Sequence, residues 1–140
     1  MRKRTDAATW FVQYLKLFIA DKLYKQQASN TMALKHFSSG EVINARPLGV
    51  DLHTCTTHTL LKATQLELIR IVLLAGKEMP EHKAPGEITA QCIEGCVEFR
   101  VLGKVLTLKT GDLVHLQGNE LHALKAIEDS SLLLTIRLHT

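Results

Sequence analysis

The chain has 140 residues, and its 46% hydrophobic and 22% charged residues are the proportions of an ordinary globular domain. We expect no integral membrane association, because Lys16 and Asp21 interrupt the best apolar stretch well short of the roughly 18 residues that a spanning helix needs. The net charge is +3, yet residues 1–31 hold six basic and two acidic residues, and the remainder holds eleven basic and twelve acidic. The main body therefore lacks the basic surface that nucleic-acid binding requires, and nucleic acid is not an expected partner. Three cysteines are odd in number and too few for a disulfide scaffold, which favours a reduced, cytoplasmic setting.

Residues 1–31 differ from the rest of the chain and form a predicted N-terminal extension. Apolar residues recur at helical spacing between Asp6 and Lys25, which predicts an amphipathic helix followed by the polar linker 26–31. Met32 opens the next segment, so we predict two parts, the extension 1–31 and a domain 32–140. Three interpretations of the extension stay open: a helix docked on the domain or on a second subunit, a membrane-surface anchor, or upstream sequence such as a transit peptide.

From Glu41 onward the pattern predicts an all-β domain without helices. Short runs rich in Val, Ile, Leu and Thr are bounded by Gly, Pro, Asn or Asp, as is typical of strands and tight turns. Nine short strands in about 100 residues indicate a sandwich or a barrel. The candidate strands are 42–45, 55–64, 66–74, 88–93, 96–101, 104–109, 112–116, 121–127 and 131–138.

Two ordered motifs within this domain resemble those of the cupin family. The first, residues 76–95, has Gly, five residues, His82 and then a strand that closes in Glu-Gly. The second, residues 111–122, has Gly-Asp, a short apolar strand, Gly and, four residues later, His122. The resemblance covers about 66–138, and with the preceding strands all of 41–140. It implies a double-stranded β-helix, a jelly-roll barrel whose bowl holds a metal or a small molecule, and it implies a homodimer.

The resemblance also implies a divalent metal site, for Fe, Mn, Ni or Zn, with His82 and His122 as ligands. The family's set has two further positions, a second histidine in the first motif and a carboxylate or other ligand seven residues before its closing glycine. In this chain those positions are Ala84 and Ile88. The ligand set is therefore incomplete by the family's pattern, since a catalytic metal generally takes three protein ligands and an open position.

Three residues are candidates for completing the site: Glu87, Gln91 and His115. Glu87 is one residue from the expected position and would need a β-bulge to point into the bowl, because successive strand residues face opposite sides. The pattern leaves two assignments open. Either residues 88, 90 and 92 line the bowl and residues 87, 89 and 91 face outward, or the reverse holds. His115 is read more simply as a side chain on a sheet surface or at a dimer contact.

We therefore expect a barrel that binds a small molecule at His82 and His122, with or without a divalent metal, and with Glu87 and Gln91 as candidate ligand contacts. The alternative is a metal-dependent enzyme, a dioxygenase or isomerase of a small metabolite, in which Glu87 or Gln91 completes the metal site. No catalytic residue can be named from the sequence. The spacing of Cys92 and Cys96 is too loose for a redox or zinc pair, so both are read as free thiols.

Overall fold

The computed structural model describes residues 36–138. The helix predicted in residues 1–31 lies outside the described residues, and the division at residue 32 stays a prediction. No helix within residues 36–138 is long and apolar enough to cross a membrane. The described elements are a 3₁₀ helix at Gly49–His53 and nine strands: β1 (His58–Lys62), β2 (Leu66–Leu73), β3 (Glu78–His82), β4 (Ile88–Glu94), β5 (Cys96–Val101), β6 (Lys104–Lys109), β7 (Leu113–Leu116), β8 (His122–Ala126) and β9 (Ser130–Arg137).

The nine strands form two antiparallel sheets that face each other. One sheet has five strands in the order β1-β2-β9-β4-β7, and the other has four in the order β3-β8-β5-β6. Four connections of one to four residues cross between the sheets, and they join β2 to β3, β4 to β5, β6 to β7 and β8 to β9. Connections this short place each strand opposite its partner in the facing sheet, about 10 Å away. This is a double-stranded β-helix, so the predicted fold class is confirmed for residues 36–138.

The remaining connections define the other end of the barrel, here called the mouth. They are the segments 63–65, 83–87, 102–103 and 117–121. Two of them are held together closely, since the backbone N–H of Asn119 donates to the carbonyl of Ala84 at 2.6 Å. Gly118 allows this approach, because a Cβ at that position would collide with the carbonyl oxygen of Pro85. The glycine of the second motif thus brings the segments that flank His82 and His122 together.

The core lies between the two sheets, and inward-facing residues alternate with outward-facing ones along strands such as β4 and β5. On β4 the side chains of residues 88, 90 and 92 are buried in this core, and residues 89 and 91 face the outer side. The structure therefore selects the first of the two assignments that the sequence left open. Gly95 closes the turn between β4 and β5 with a φ of +84°, which favours glycine, and a Cβ there would collide with backbone and side-chain atoms of residues 129–130.

Three features of the strand prediction were wrong. Residues 42–45 are not a strand, and a short 3₁₀ helix follows at Gly49–His53. Residues 44–52 lie against the outer side of the five-stranded sheet as an outer strap, where the Glu94 carboxylate accepts the backbone N–H groups of Leu48 and Gly49. Strand β3 was missed because Pro80 argues against a strand. The structure tolerates this proline because β3 is an edge strand with an irregular register.

Candidate functional site

Two buried histidines meet at the mouth of the barrel. His82 is the last residue of β3 and His122 the first of β8, and the antiparallel register makes them direct partners. Their ring centroids are 4.3 Å apart, with an interplanar angle of 62°. The ring of Phe99 on β5 lies parallel to that of His122, with centroids 5.6 Å apart. The exposed fractions of His82 and His122 are 8% and 3%, so the pair faces the interior of the barrel.

Each ring is oriented by the same local hydrogen bond. Nδ1 of His82 lies 2.7 Å from the carbonyl oxygen of Pro80, and Nδ1 of His122 lies 2.8 Å from that of Glu120. Because a carbonyl oxygen only accepts, Nδ1 carries the proton in both rings, and in the neutral form the lone pair is on Nε2. The backbone thereby fixes both tautomers and both ring orientations, as a hydrogen bond to the other ring nitrogen does for histidines that bind a ligand or an ion.

Burial keeps both rings neutral. Desolvation lowers the pKa of His82, and it lowers the pKa of His122 to about 4, with the positive charge of a protonated His82 acting in the same direction. At pH 7 the site therefore presents two uncharged imidazoles whose Nε2 atoms are hydrogen-bond acceptors or Lewis bases.

The structure does not bring Glu87 or Gln91 to the histidine pair. The Glu87 carboxylate is half exposed and lies 3.6 Å from His115 Nε2 and 3.6 Å from an Arg137 guanidinium nitrogen, on the outer side of the five-stranded sheet. Gln91 is on the same outer side, in register with Leu113 on β7. No bulge re-aims this end of β4, since residues 88–91 pair regularly with β7. His115 is likewise exposed on the outer face.

The donor set at the mouth does not fit a resident catalytic metal. Ala84 and Ile88, at the two remaining ligand positions that the resemblance implies, each have an exposed fraction of 3% and pack in the apolar core. Among residues 36–138 there is no group of three or more His, Cys, Asp or Glu side chains arranged to hold an ion. Two imidazoles fall short of the three protein ligands that catalytic sites use. Metal binding by His82 and His122 stays a prediction.

Glu67 is a polar residue of the mouth that was not predicted from the sequence. Glu67 is near the start of β2, its exposed fraction is 1%, and it is in phase with Ile69, Ile71 and Leu73 of the core. Its side chain therefore lies on the inner face of the five-stranded sheet. The sequence does contain a signal for this position, since Glu67 comes two residues before the alternating apolar residues Ile69, Ile71 and Leu73 and therefore shares their face of the strand.

All three cysteines are free thiols, as predicted. Cys92 is buried in the core, and desolvation, with smaller contributions from Cys96 and Asp112, raises the pKa of its thiol to about 11. Its Sγ contacts the carbonyl oxygen of Glu94 at 3.4 Å. Cys92 is therefore a small core residue that stays protonated at neutral pH.

The described domain is thus a double-stranded β-helix barrel with a neutral histidine pair facing inward at its mouth. Neither a scan against protein-family models nor a search of curated proteins finds a match to this chain. Solved structures do match. A protein of unknown function from Streptococcus pyogenes, SPY1581, is 19% identical with a TM-score of 0.60, and the match covers 79% of this chain and 99% of that chain.

Two further matches name the fold. A cupin superfamily protein from Desulfitobacterium hafniense DCB-2 is 12% identical with a TM-score of 0.60, over 70% of this chain and 95% of that chain. An RmlC-like cupin from Shewanella frigidimarina NCIMB 400 is 20% identical with a TM-score of 0.57, over 74% of this chain and 90% of that chain. This chain has the cupin fold, as its two motifs predicted. Identities this low establish the fold alone, and the homodimer implied by the resemblance stays a prediction.

Proposed function

We propose that this chain is a binding barrel that takes a small molecule at its mouth, on Nε2 of His82 and Nε2 of His122. The observation that supports this proposal is the pairing of two buried, neutral imidazoles whose Nδ1 atoms are both tied to backbone carbonyls. Both rings are buried in the barrel, and the aromatic ring of Phe99 lies parallel to that of His122. A site that keeps two oriented acceptors in such surroundings is organised for a specific contact.

The proposed contact is a hydrogen bond from the ligand to each ring. Neutral imidazole accepts at its unprotonated nitrogen, and the planes of the two rings are inclined to each other by 62°. Phe99 supplies an apolar surface beneath His122, which suits a ligand with a small carbon skeleton. A resident metal has no part in the proposal, because the described donor set does not fit one. We assign no reaction to the site.

The test is imidazole NMR on the full chain with three probes that share a two-carbon skeleton: ethane-1,2-diol, ethylammonium and acetate. We expect at least one probe to shift the Cε1–H signals of both His82 and His122, because ligand binding changes the field at each ring. The double variant His82→Ala, His122→Ala lacks these two signals, so its binding is followed through backbone amide shifts, and we expect it to show no saturable binding. His58→Ala is the matched control, because His58 Nδ1 makes the same contact, to the carbonyl of Thr56 at 2.7 Å, and lies outside the mouth.

Two outcomes would overturn the proposal. The first is that none of the three probes moves either ring signal. The second is that the double variant binds them as the parent does, which would place the binding elsewhere. Metal content of the purified full chain, measured by inductively coupled plasma mass spectrometry, separates this proposal from the metal-dependent alternative. We expect far less than one equivalent in parent and variant alike, whereas one equivalent that the double variant loses would favour a metal centre.

A further inference from the structure

Glu67 lies on the opposite wall of the mouth from His82. Strand β2 leads into β3 through residues 74–77, so the two strands face each other across the barrel. Glu67 is six positions before the end of β2, and His82 is at the far end of β3, so both are distant from that crossover and close to the mouth. Both side chains are buried on the inner faces of their sheets. The mouth therefore carries a carboxyl group on one wall and the histidine pair on the other.

One oxygen of this carboxyl group has no hydrogen-bond partner among residues 36–138. Oε1 accepts a hydrogen bond from Oγ1 of Thr59 at 3.0 Å, whereas Oε2 is fully buried and no described residue donates to it. Glu67 forms no ion pair within residues 36–138. Buried side-chain oxygens are paired in the large majority of cases, and an exception is a reason to look for a missing donor.

Among residues 36–138, the neighbours of Glu67 in the sheet do not supply a donor to Oε2. Its neighbours on the inner face are Ile69, two residues along β2, and Ile136, its register partner on β9. Both side chains are apolar and offer no donor. Lys62 is the register partner on β1, and its side chain is exposed. The charged residues Arg70 and Glu94 lie on the outer side of the sheet, where they hold the outer strap.

We infer that Glu67 is a third polar contact for the ligand, and that the ligand brings hydrogen-bond donors, as hydroxyl or amine groups. This inference rests on the proposed function and extends it by naming the ligand class. Oε2 of Glu67 and the two imidazole Nε2 atoms all accept, so a molecule with several hydroxyl groups or an amine satisfies all three. A carboxylate or phosphate would meet acceptors on both walls and would find no donor there.

Glu67→Gln tests this inference with the same three probes and the same NMR signals. Glutamine keeps the shape and an oxygen for Thr59, but it replaces the Oε2 acceptor with an N–H₂ donor. In the parent we expect ethane-1,2-diol or ethylammonium to bind at least tenfold more tightly than acetate. In Glu67→Gln we expect binding of the donor probes to weaken at least tenfold and that of acetate to improve. Glu128→Gln, an exposed carboxyl away from the mouth, is the control and should bind all three as the parent does.

A second variant guards against a folding defect. Glu67→Met fills the same space without a polar atom, so we expect it to fold, to melt at a higher temperature than the unliganded parent, and to lose binding of the donor probes. The diol and ethylammonium arms distinguish a hydroxyl ligand from a cationic one by which of the two probes binds more tightly.

Three results would overturn the inference. Acetate could shift the histidine signals more strongly than the donor probes do, which refutes the ligand class and leaves a binding barrel standing. Glu67→Gln and Glu67→Met could both bind the donor probes as the parent does, which makes Glu67 a structural group. Silence of both ring signals with every probe overturns the inference together with the proposed function.

Discussion

Acidification should destabilise this barrel well above the pH at which its carboxylates titrate. The cause is His122, whose pKa burial lowers from the ordinary 6.5 to about 4. When the pH falls below 6.5 the unfolded chain takes up a proton at this histidine, and the folded chain does not until about pH 4. The unfolded state binds more protons in that window, so the free energy of unfolding falls as the pH falls. Above pH 6.5 this effect is absent and the stability is complete.

The magnitude follows from the difference between the two pKa values. From 6.5 down to about 4, His122 alone removes about 3 kcal/mol of unfolding free energy, at a slope of about 1.4 kcal/mol for each pH unit. Burial lowers the pKa of His82 as well, so the second ring adds a loss of the same sign. A loss of about 3 kcal/mol is large beside the 5–15 kcal/mol typical of a whole domain.

Urea unfolding of the full chain at pH values between 5 and 7.5 measures this slope. At pH 5 and above, Glu94 contributes little to the pH dependence of the unfolding free energy. Burial raises the pKa of its carboxyl group, but hydrogen bonds from Ser131 and from the outer strap lower it, and the pKa stays below its ordinary 4.5. His122→Gln should reduce the slope of unfolding free energy against pH by about 1.4 kcal/mol for each pH unit, because glutamine does not titrate. His58→Gln serves as the matched control and should leave the decline as it is in the parent.

Direct titration of the His122 Cε1–H signal provides an independent measurement. We expect a midpoint near pH 4 and no change between pH 6 and 8. A midpoint at 6 or above would contradict this prediction, because the desolvation of the ring would then be too small to keep it neutral. The same conclusion would follow if His122→Gln retained the full slope of the parent.

Two further predictions concern the turn between β4 and β5 and the core beside it. Gly95→Ala should lower the free energy of unfolding by about 2 kcal/mol or more, since the φ of Gly95 is +84° and the added Cβ would collide with the Asp129 carbonyl oxygen. Urea unfolding measures this loss, and a change under about 0.5 kcal/mol would contradict the prediction. Iodoacetamide at pH 8 should modify Cys55 and Cys96 before Cys92, because Cys92 is buried and the pKa of its thiol is raised to about 11. Peptide mass mapping over time shows the order of modification, and early labelling of Cys92 would contradict the packing described.

Much of the fold could be predicted from the sequence because its signals are local. Alternation in 96–101 reflects the two-residue period of a strand. The nearly continuous apolar runs of β2 and β9 are typical of strands that are covered on both faces. Gly95 and Gly118 occupy positions where a side chain would collide. Strand β3 was not predicted, because Pro80 is compatible with a strand only at the edge of a sheet. Which strand lies at the edge depends on the whole sheet and cannot be seen in the local sequence. The outer strap was not predicted for a similar reason, since Glu94 holds it from 45 residues or more along the chain.

The candidate site was less predictable, because alternation fixes which residues share a face but leaves open which face is inside. The sequence named His82 and His122 through the motif spacing, and the structure pairs them. It could not orient Glu87 or Gln91, because that choice depends on which side of β4 meets the opposite sheet. The same uncertainty hid Glu67, whose inward position becomes visible only when Ile69 and Ile71 are known to face the core.

The position of Glu67 can be compared with that of Ile88, where this chain differs from the ligand pattern that the resemblance implies. Ile88 on β4, at the position where the resemblance implies a metal ligand, pairs with Ile136 on β9, and Ile136 pairs in turn with Glu67 on β2. Glu67 is therefore in the same cross-strand row as Ile88 but two strands away, about 10 Å along the sheet. A carboxyl group at Ile88 would stand opposite β5, whereas Glu67 stands opposite β3 and His82. Ala84 and Ile88 are apolar, and the carboxyl group of Glu67 is two strands away from Ile88. The acceptors at the mouth of this barrel are therefore separated and do not surround a single point as metal ligands do. A ligand with several donors can bridge such acceptors, and a single ion cannot.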